Sequence, residues 1–233
     1  MTKNLEQITK GSYRIYRSDC GKDYVSVTTA IAACGGSDKT EALMNWAARN
    51  TNYKVLQEQA KLFGTLMHTL SEKLLRGLQS GVPFVISDEE INDLVWNAGI
   101  YNIPYDAAWA LRVIEAFLYE NVSEVIAIEE AVYSDKLGLA GRIDCVVNLH
   151  KYGRSLLDFK FSKTPRQSHD YALQLAIYKY MLNDMGYGVD HTFNLFPNKN
   201  NKIQPYTLST GGKKIKEREI ELVAELARIR HNG

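Results

Sequence analysis

The spacing of apolar residues in this 233-residue chain changes near residue 122, and that change constrains the fold more than any other feature. Before it, leucines such as Leu62 and Leu66 recur at helical intervals. After it come three short runs rich in β-branched residues and separated by turn residues, which predict a three-stranded meander. These runs are 125–133, 139–149 and 155–161. Helices followed by strands predict an α+β fold in one domain, with a helical segment over 30–121 and a sheet core over 122–210.

Local signals predict the remaining elements. Capping-box signatures begin helices at Asp38 and at Ser87. The first of these helical patterns covers 37–78, and the sequence Asn-Thr-Asn at 50–52 divides it in two. The other predicted elements are helices over 105–121, 167–186 and 211–233, and strands over 192–196 and 203–208. Their order is compatible with a three-layer arrangement in which helices cover a mixed sheet.

The formal net charge of +1 is the sum of two halves of opposite sign. Residues 1–150 carry 14 basic and 19 acidic side chains, whereas residues 151–233 carry 14 basic and 8 acidic ones. This distribution argues against a basic tail that grips nucleic acid indiscriminately. It is compatible with a localised basic groove in the second half.

Two further features exclude classes of protein. No apolar run approaches the roughly 20 residues that a membrane helix needs, and no signal peptide is apparent, so we expect a cytoplasmic protein that does not bind membranes. The cysteines Cys20, Cys34 and Cys145 are odd in number and form no CxxC pair. We therefore expect free thiols rather than a disulfide framework, a zinc site or an iron–sulfur cluster.

Acidic residues and a lysine lie in neighbouring predicted strands. Asp144 precedes an apolar run at 145–147, and Asp158 and Lys160 stand two residues apart in the next run. Because side chains alternate across a strand, Asp158 and Lys160 share one face and their apolar neighbours point into the core. If the short turn at 151–153 joins the two strands in a hairpin, the carboxylates meet, and a hard cation such as Mg²⁺ or Mn²⁺ would offset their repulsion. Lys160 would then position or deprotonate a water, or stabilise charge on a phosphate oxygen, which indicates phosphodiester hydrolysis.

These residues and their neighbours resemble a known nuclease family. Gly141-x-Ile143-Asp144, Asp158-x-Lys160 and Gln174-x-x-x-Tyr178 follow one another as in the RecB-like branch of the PD-(D/E)XK nuclease superfamily. The upstream Gly-Thr-x-x-His-x-x-x-Glu pattern at 64–72 resembles the helical element of that branch, and Glu129 stands where the branch has a further acid. The resemblance covers roughly residues 25–208.

Two short segments narrow the resemblance within that branch. Val-Thr-Thr at 27–29 and Glu-Glu-Ala-Val at 129–132 are similar to sequences of the mitochondrial genome maintenance exonucleases and their phage and bacterial relatives. The resemblance therefore implies a DNA nuclease, and in particular a single-strand-preferring exonuclease of replication, recombination or repair. A phage-encoded member would act in the host cytoplasm.

The resemblance also implies a restriction-endonuclease-like α/β/α core and an Mg²⁺ or Mn²⁺ cofactor. It assigns metal ligation to Asp144, Asp158, the Phe159 backbone carbonyl and His68. Lys160 is the implied catalytic lysine, and Glu129 is an outer or second-metal acid. Gln174 and Tyr178 are implied to brace the site and to contact the substrate backbone. Some relatives hold an iron–sulfur cluster through four cysteines, which the scattered cysteines of this chain do not provide.

Cations beside the catalytic strand are candidate phosphate contacts. Lys163 and Arg166 flank the Thr-Pro pair that follows this strand, and we expect them to contact substrate phosphates.

The residues alone leave several interpretations open. Asp158-x-Lys160 is also explained as an exposed Asp/Lys pair on a sheet face. His68 is also explained as a partly buried histidine that hydrogen-bonds to Glu72, and Tyr178 as a core residue. Glu130 competes with Glu129 for the acidic role, although the spacing favours Glu129. For the function, a structure-specific or duplex DNA endonuclease of the same fold and a catalytically silent DNA-binding module remain alternatives.

Overall fold

The computed structural model describes residues 4–10, 13–35, 44–45, 47–101, 106–161, 168–198, 201–210 and 215–232. Three predicted features lie outside these residues: the capping box at Asp38, and the side chains of Lys163 and Arg166.

The chain begins with strands and continues through the helices into further strands. The elements are β1 (Leu5–Lys10), β2 (Tyr13–Ser18), β3 (Asp23–Ser26), α1 (Val27–Ala33), α2 (Tyr53–Ser80), α3 (Asp88–Asn97), α4 (Ala107–Asn121), β4 (Val122–Ile128), β5 (Ala131–Ser134), β6 (Leu139–Arg142), β7 (Cys145–Leu149), β8 (Gly153–Phe159), α5 (His169–Asp184), β9 (His191–Pro197), β10 (Tyr206–Ser209) and α6 (Glu217–Asn232). Helices and strands occupy largely separate parts of the chain, which confirms the predicted α+β class.

Within the described residues, the strands form two five-stranded mixed sheets. The first sheet has the order β1-β2-β3-β6-β5, and the second has the order β10-β9-β8-β7-β4. The pairs β3–β6 and β8–β9 are parallel, and the other neighbours are antiparallel.

A bent hairpin joins the two sheets. The chain leaves the second sheet between β4 and β5 and returns to it between β6 and β7. The two crossings are hydrogen-bonded to each other: the Glu129 N–H donates to the Asp144 carbonyl at 2.9 Å, and the Ile143 N–H donates to the Glu130 carbonyl at 3.0 Å. The three predicted runs do pair antiparallel in sequence order, as in a meander, but the first two runs each bend and divide between the sheets, which the sequence did not predict.

Helices cover both faces of the second sheet. Along β7 and β8, Val147 and Leu157 pack into a core with side chains of α2 and α4. The alternate residues Val146 and Leu156 pack into a second core with side chains of α1, α5 and α6. This alternation explains the apolar runs at 145–147 in β7 and at 156–157 in β8, since a strand segment buried on both faces carries consecutive apolar residues.

The periodicity does not predict β1–β3, and the interpretation of the first half as mostly helical is wrong for these residues. β1 is an edge strand whose side chains are mostly exposed, so its sequence lacks a sustained apolar alternation. β1 is held in the sheet by its antiparallel pairing with β2, and its own sequence does not indicate this pairing.

Several helix boundaries agree with the local signals. The Ser87 hydroxyl accepts from the Glu90 N–H at 3.1 Å, and the Glu90 carboxylate accepts from the Ser87 N–H at 2.8 Å, which confirms this capping box. Residues 44–45 and 47–49 are helical and α2 begins at Tyr53, so the predicted interruption at 50–52 is also confirmed. None of the helices in the described ranges is long and apolar enough to cross a membrane.

Candidate active site

The candidate site lies at the bend of the hairpin that joins the sheets. Glu129 follows β4 directly and has a φ of +50°, which is the only positive φ of a non-glycine residue in the part of the chain described. A left-handed conformation costs a side-chain-bearing residue about 1–2 kcal/mol. The bend places the half-buried Glu129 carboxylate in a cleft with Asp144, the residue opposite it in the crossing.

Asp144 connects three elements. Its Oδ1 lies 3.2 Å from the Nδ1 of His68 on α2, and its Oδ2 accepts a 2.6 Å hydrogen bond from the Phe159 N–H at the end of β8. Burial acts to raise the pKa of Asp144, but the charge and hydrogen bond of His68 outweigh it and the pKa is lowered. The carboxylate is therefore ionised at neutral pH and already oriented by its neighbours.

His68 pairs with Asp144 and not with Glu72. Glu72 instead forms an ion pair with Arg76 at 2.7 Å on the same helix. Burial acts to lower the pKa of His68, but the Asp144 carboxylate prevails and raises this pKa to about 9. The edge-on contact of the His68 ring with Phe161, at 5.4 Å between ring centroids, further fixes the imidazole.

Asp158 and Lys160 form a buried ion pair on the next strand. Their atoms Oδ2 and Nζ are 2.6 Å apart, and the side chains are only 6% and 15% exposed. Pairing of Cys145 with Leu157 in the β7–β8 ladder brings the ends of these strands together, so Asp158 stands across from Asp144. The predicted hairpin, and the predicted common face of Asp158 and Lys160, are both present.

The ion pair changes the pKa of both partners. Burial and repulsion from Asp144 raise the pKa of Asp158 against the opposing effect of Lys160. Burial lowers the pKa of Lys160, but Asp158 and Asp144 outweigh it and the pKa is raised. Lys160 is therefore held as an ammonium.

Gln174 and Tyr171 on α5 contact Lys160, and Tyr178 contacts Gln174. The Lys160 ammonium donates to Gln174 Oε1 at 3.0 Å and lies over the ring of Tyr171, 4.7 Å from its centroid. Burial raises the pKa of Tyr178 well above its ordinary value, and Gln174 hydrogen-bonds to its hydroxyl. Residues four apart on a helix lie on one face, which explains why these two side chains act together.

Gly141 leaves space for the Tyr178 ring. A Cβ atom built at Gly141 would lie 2.6 Å from ring carbon Cε1 of Tyr178 and 2.8 Å from its hydroxyl oxygen. Real Cβ contacts are essentially never this short, so the strand must carry glycine where the tyrosine crosses it. This contact gives the Gly-x-Ile-Asp pattern a structural basis.

A cleft of about 380 Å³ brings these groups together between the two sheets and α2. The predicted site residues in its lining are His68, Glu129, Asp144, Asp158, Lys160, Gln174 and Tyr178. Phe159 is not in this lining, and its side chain, 1% exposed, packs into the core shared with α2 and α4. Glu130 is not in this lining and instead hydrogen-bonds to Tyr187.

The first sheet contributes cleft residues that the sequence did not indicate. The clearest of these are Gln7, Arg14, Tyr16 and Arg142. They come from strands β1, β2 and β6, of which the first two were not predicted. The alternation of Arg14 and Tyr16 with the buried Ile15 is the available signal, and it spans too few residues to identify a strand by itself.

The acidic end of the cleft has donors suited to a divalent cation. Ligand atoms of His68, Glu129 and Asp144 all lie within 4.8 Å of one another, and among the described residues these three form the group that could hold a metal ion. Asp158, which the resemblance implies as a ligand, is not a member of this group and instead contacts Lys160. One imidazole and two carboxylates suit Mn²⁺ and similar ions, and carboxylates alone also suit Mg²⁺.

The pKa of Glu129 agrees with a site for a cation. Burial and repulsion from Asp144 raise this pKa to about 7, so the two carboxylates resist simultaneous ionisation. A divalent cation between them would remove that repulsion. The residues present therefore fit a metal ion.

Comparisons with known proteins give little further information. No protein-family model and no curated protein matches the chain. The chain is similar to a solved structure described as "Crystal structure of SSO0001", with 13% sequence identity and a TM-score of 0.35 over 74% of this chain and 86% of that chain. A TM-score this low supports no conclusion about fold or function.

Proposed function

We propose that this protein is a metal-dependent deoxyribonuclease that hydrolyses phosphodiester bonds, with a preference for single-stranded DNA and attack from an end. The main support is that the His68–Glu129–Asp144 group and the Asp158–Lys160 pair lie in the same cleft. The resemblance of the sequence to the PD-(D/E)XK nucleases also supports the proposal.

The His68–Glu129–Asp144 group is the proposed binding site for a divalent cation, Mg²⁺ or Mn²⁺. A bound ion of this kind would supply Lewis-acid polarisation of a phosphate oxygen and would lower the pKa of a water molecule. His68, Glu129 and Asp144 would hold it. The hydrogen bond from the Phe159 N–H fixes the orientation of Asp144 before any ion arrives.

Lys160 acts as a cation and hydrogen-bond donor in this proposal. Its raised pKa keeps it protonated, which favours stabilising negative charge on the phosphate over removing a proton from water. Asp158 and Gln174 hold the ammonium from two sides, so Lys160 needs no reorganisation when charge develops on the substrate.

The test is digestion of labelled DNA with Mg²⁺, with Mn²⁺ and with a chelator. Linear single strands labelled at each end in turn, linear duplexes and a covalently closed single-stranded circle are compared. We expect metal-dependent degradation of the linear single strands and no cleavage of the circle. Cleavage of the circle would favour the endonuclease alternative, and absence of cleavage with both metals would favour the catalytically silent alternative.

Lys179→Ala is a suitable control variant for this assay. Lys179 lies on the same helix as Gln174, is not in the cleft lining, and donates to the Asp190 carbonyl at the surface. Its loss should leave metal-dependent degradation at the wild-type level. Any general effect of lysine removal from α5 would appear in this variant.

A further inference from the structure

The cleft is electrically asymmetric, with acids at the bend and arginines on the wall formed by the first sheet. Glu129 and Asp144 belong to the bend, whereas Arg14 lies on β2 and Arg142 is the last residue of β6. The carboxylates of Glu129 and Asp144 repel a phosphodiester substrate, although His68 and Lys160 offset part of this repulsion. Additional cations in the lining would offset that repulsion on the substrate side.

Arg14 and Arg142 are exposed, and neither guanidinium makes an ion pair or a side-chain hydrogen bond with a described residue. This distinguishes them from Arg17 on the same strand as Arg14, which binds Asp23 through two hydrogen bonds of 2.7 and 2.8 Å. The N–H donors of an unpaired arginine in a cleft lining are available to hydrogen-bond an anionic ligand that enters the cleft.

Tyr16 lines the same cleft as the two arginines. It is 2% exposed, and its hydroxyl donates to Gln7 at 3.2 Å. Burial raises the pKa of Tyr16, while the charges of Arg14 and Arg142 act to lower it, so both guanidinium groups lie near this one buried ring. The strand pairing β2–β3–β6 fixes this arrangement.

We propose that Arg14 and Arg142 form a phosphate-binding subsite on the first-sheet wall, which holds a phosphate of the substrate strand next to the one presented to the His68–Glu129–Asp144 group. The inference rests on the proposed nuclease function and adds a substrate contact that the resemblance does not assign. Guanidinium groups bind phosphate oxygens in pairs of parallel hydrogen bonds, and this geometry suits a nucleic-acid backbone. The bound group is either an internal phosphodiester or a terminal phosphate monoester.

The first measurement is the affinity for single-stranded DNA as a function of salt, made with chelator present so that no strand is cut. Arg14→Gln and Arg142→Gln should each weaken binding about tenfold, because a hydrogen bond to a charged group contributes about that much. Each should also reduce the slope of log affinity against log salt by about 0.7, the change expected for one lost phosphate contact on a single strand. Arg14→Lys and Arg142→Lys should each retain part of the affinity, because lysine keeps the positive charge but lacks the paired N–H donors of a guanidinium group.

Arg17→Gln is the matched control. It removes an arginine from the same strand, and its exposed ion pair with Asp23 contributes little to stability, so affinity and salt slope should equal those of the wild type. Unchanged melting temperatures of all variants would show that the sheet is intact.

The source of the phosphate is distinguished by the DNA used. An equal loss of affinity for linear and circular strands indicates an internal phosphodiester, and a loss confined to strands with a terminal phosphate indicates the monoester. Wild-type affinity and salt slope in both arginine variants, while the wild type degrades DNA, would overturn the subsite and leave the nuclease proposal standing. Failure of the wild type to bind or cut DNA would instead remove the proposed function.

Discussion

The imidazole of His68 lies 3.2 Å from the carboxylate of Asp144, Nδ1 to Oδ1, and this contact joins helix α2 to the bend between the two sheets. Asp144 in turn accepts from the Phe159 backbone, so one carboxylate connects the helical layer with two strands. The pair is strong enough to raise the pKa of His68 to about 9, which makes the stability of the metal-free protein depend on pH.

We expect the metal-free protein to lose stability as the pH rises from about 5 to about 9. The pKa of Glu129 is raised from 4.5 to about 7 and that of His68 from 6.5 to about 9. A group whose pKa is higher in the folded state contributes stability at low pH, and this contribution is lost as the pH rises through the folded pKa. Melting temperatures measured in chelator across this range test the expectation.

Two variants separate the contributions to that pH dependence. Glu129→Gln should remove mainly the part between about pH 4.5 and 7, and His68→Gln the part between about pH 6.5 and 9. If both variants follow the wild-type curve across the whole range, the electrostatic description of the bend is incorrect.

Divalent cations should stabilise the protein, and more strongly at pH 9 than at pH 6. Ligation requires a deprotonated Glu129 carboxylate and a neutral His68, so protons and metal ions compete for the same atoms. Melting temperatures with Mn²⁺ or Mg²⁺ against chelator measure the effect, and it should be greatly reduced in Glu129→Gln. A cation effect that is the same at both pH values, or that survives in this variant, would contradict the ligand assignment.

Gly141→Ala should destabilise the fold by about 2 kcal/mol, because the added methyl group overlaps the Tyr178 ring. The matched control is Gly64→Ala on α2, where a Cβ meets nothing within 4 Å. That substitution should stabilise the protein by about 0.5–1 kcal/mol, since alanine favours a helix more than glycine does. Urea denaturation gives both values, and equal effects of the two substitutions would show that the Gly141–Tyr178 contact is not tight.

Gln174→Leu should reduce the rate of DNA cleavage by about tenfold to a hundredfold while leaving the protein folded. The substitution preserves the size of the side chain but removes the acceptor that holds the Lys160 ammonium at 3.0 Å. A misplaced donor loses much of its stabilisation of the transition state. The rate at saturating substrate is the relevant measurement, and a change in KM alone would assign Gln174 to substrate binding instead.

The parts of the site that could be predicted are those set by local spacing. The two-residue alternation places Asp158 and Lys160 on one face, and a short turn pairs their strand with the one that follows Asp144. The four-residue spacing of Gln174 and Tyr178 likewise fixes them on one helical face. Such relationships depend on residues close in the chain, so the sequence carries them directly.

The parts that could not be predicted depend on pairing between distant segments. The parallel pairing of Val25 with Leu139 brings Arg14 and Tyr16 to the cleft, and no local pattern signals it. The bend at Glu129 was equally hidden, because its positive φ occurs at a residue that ordinarily avoids it. Glycine at this position would have indicated a break between β4 and β5.

We expect the ion pair of Asp158 and Lys160, beside the His68–Glu129–Asp144 group, to be required for metal-dependent cleavage of DNA. The decisive measurement is single-turnover cleavage of end-labelled single-stranded DNA with Mn²⁺ by wild type, Asp158→Ala, Lys160→Ala and the control Lys179→Ala. We expect Asp158→Ala and Lys160→Ala each to lower the rate by about 10³-fold while remaining folded, and Lys179→Ala to equal the wild type. Near-normal cleavage by folded Lys160→Ala or Asp158→Ala protein would show that this ion pair is not required for the reaction.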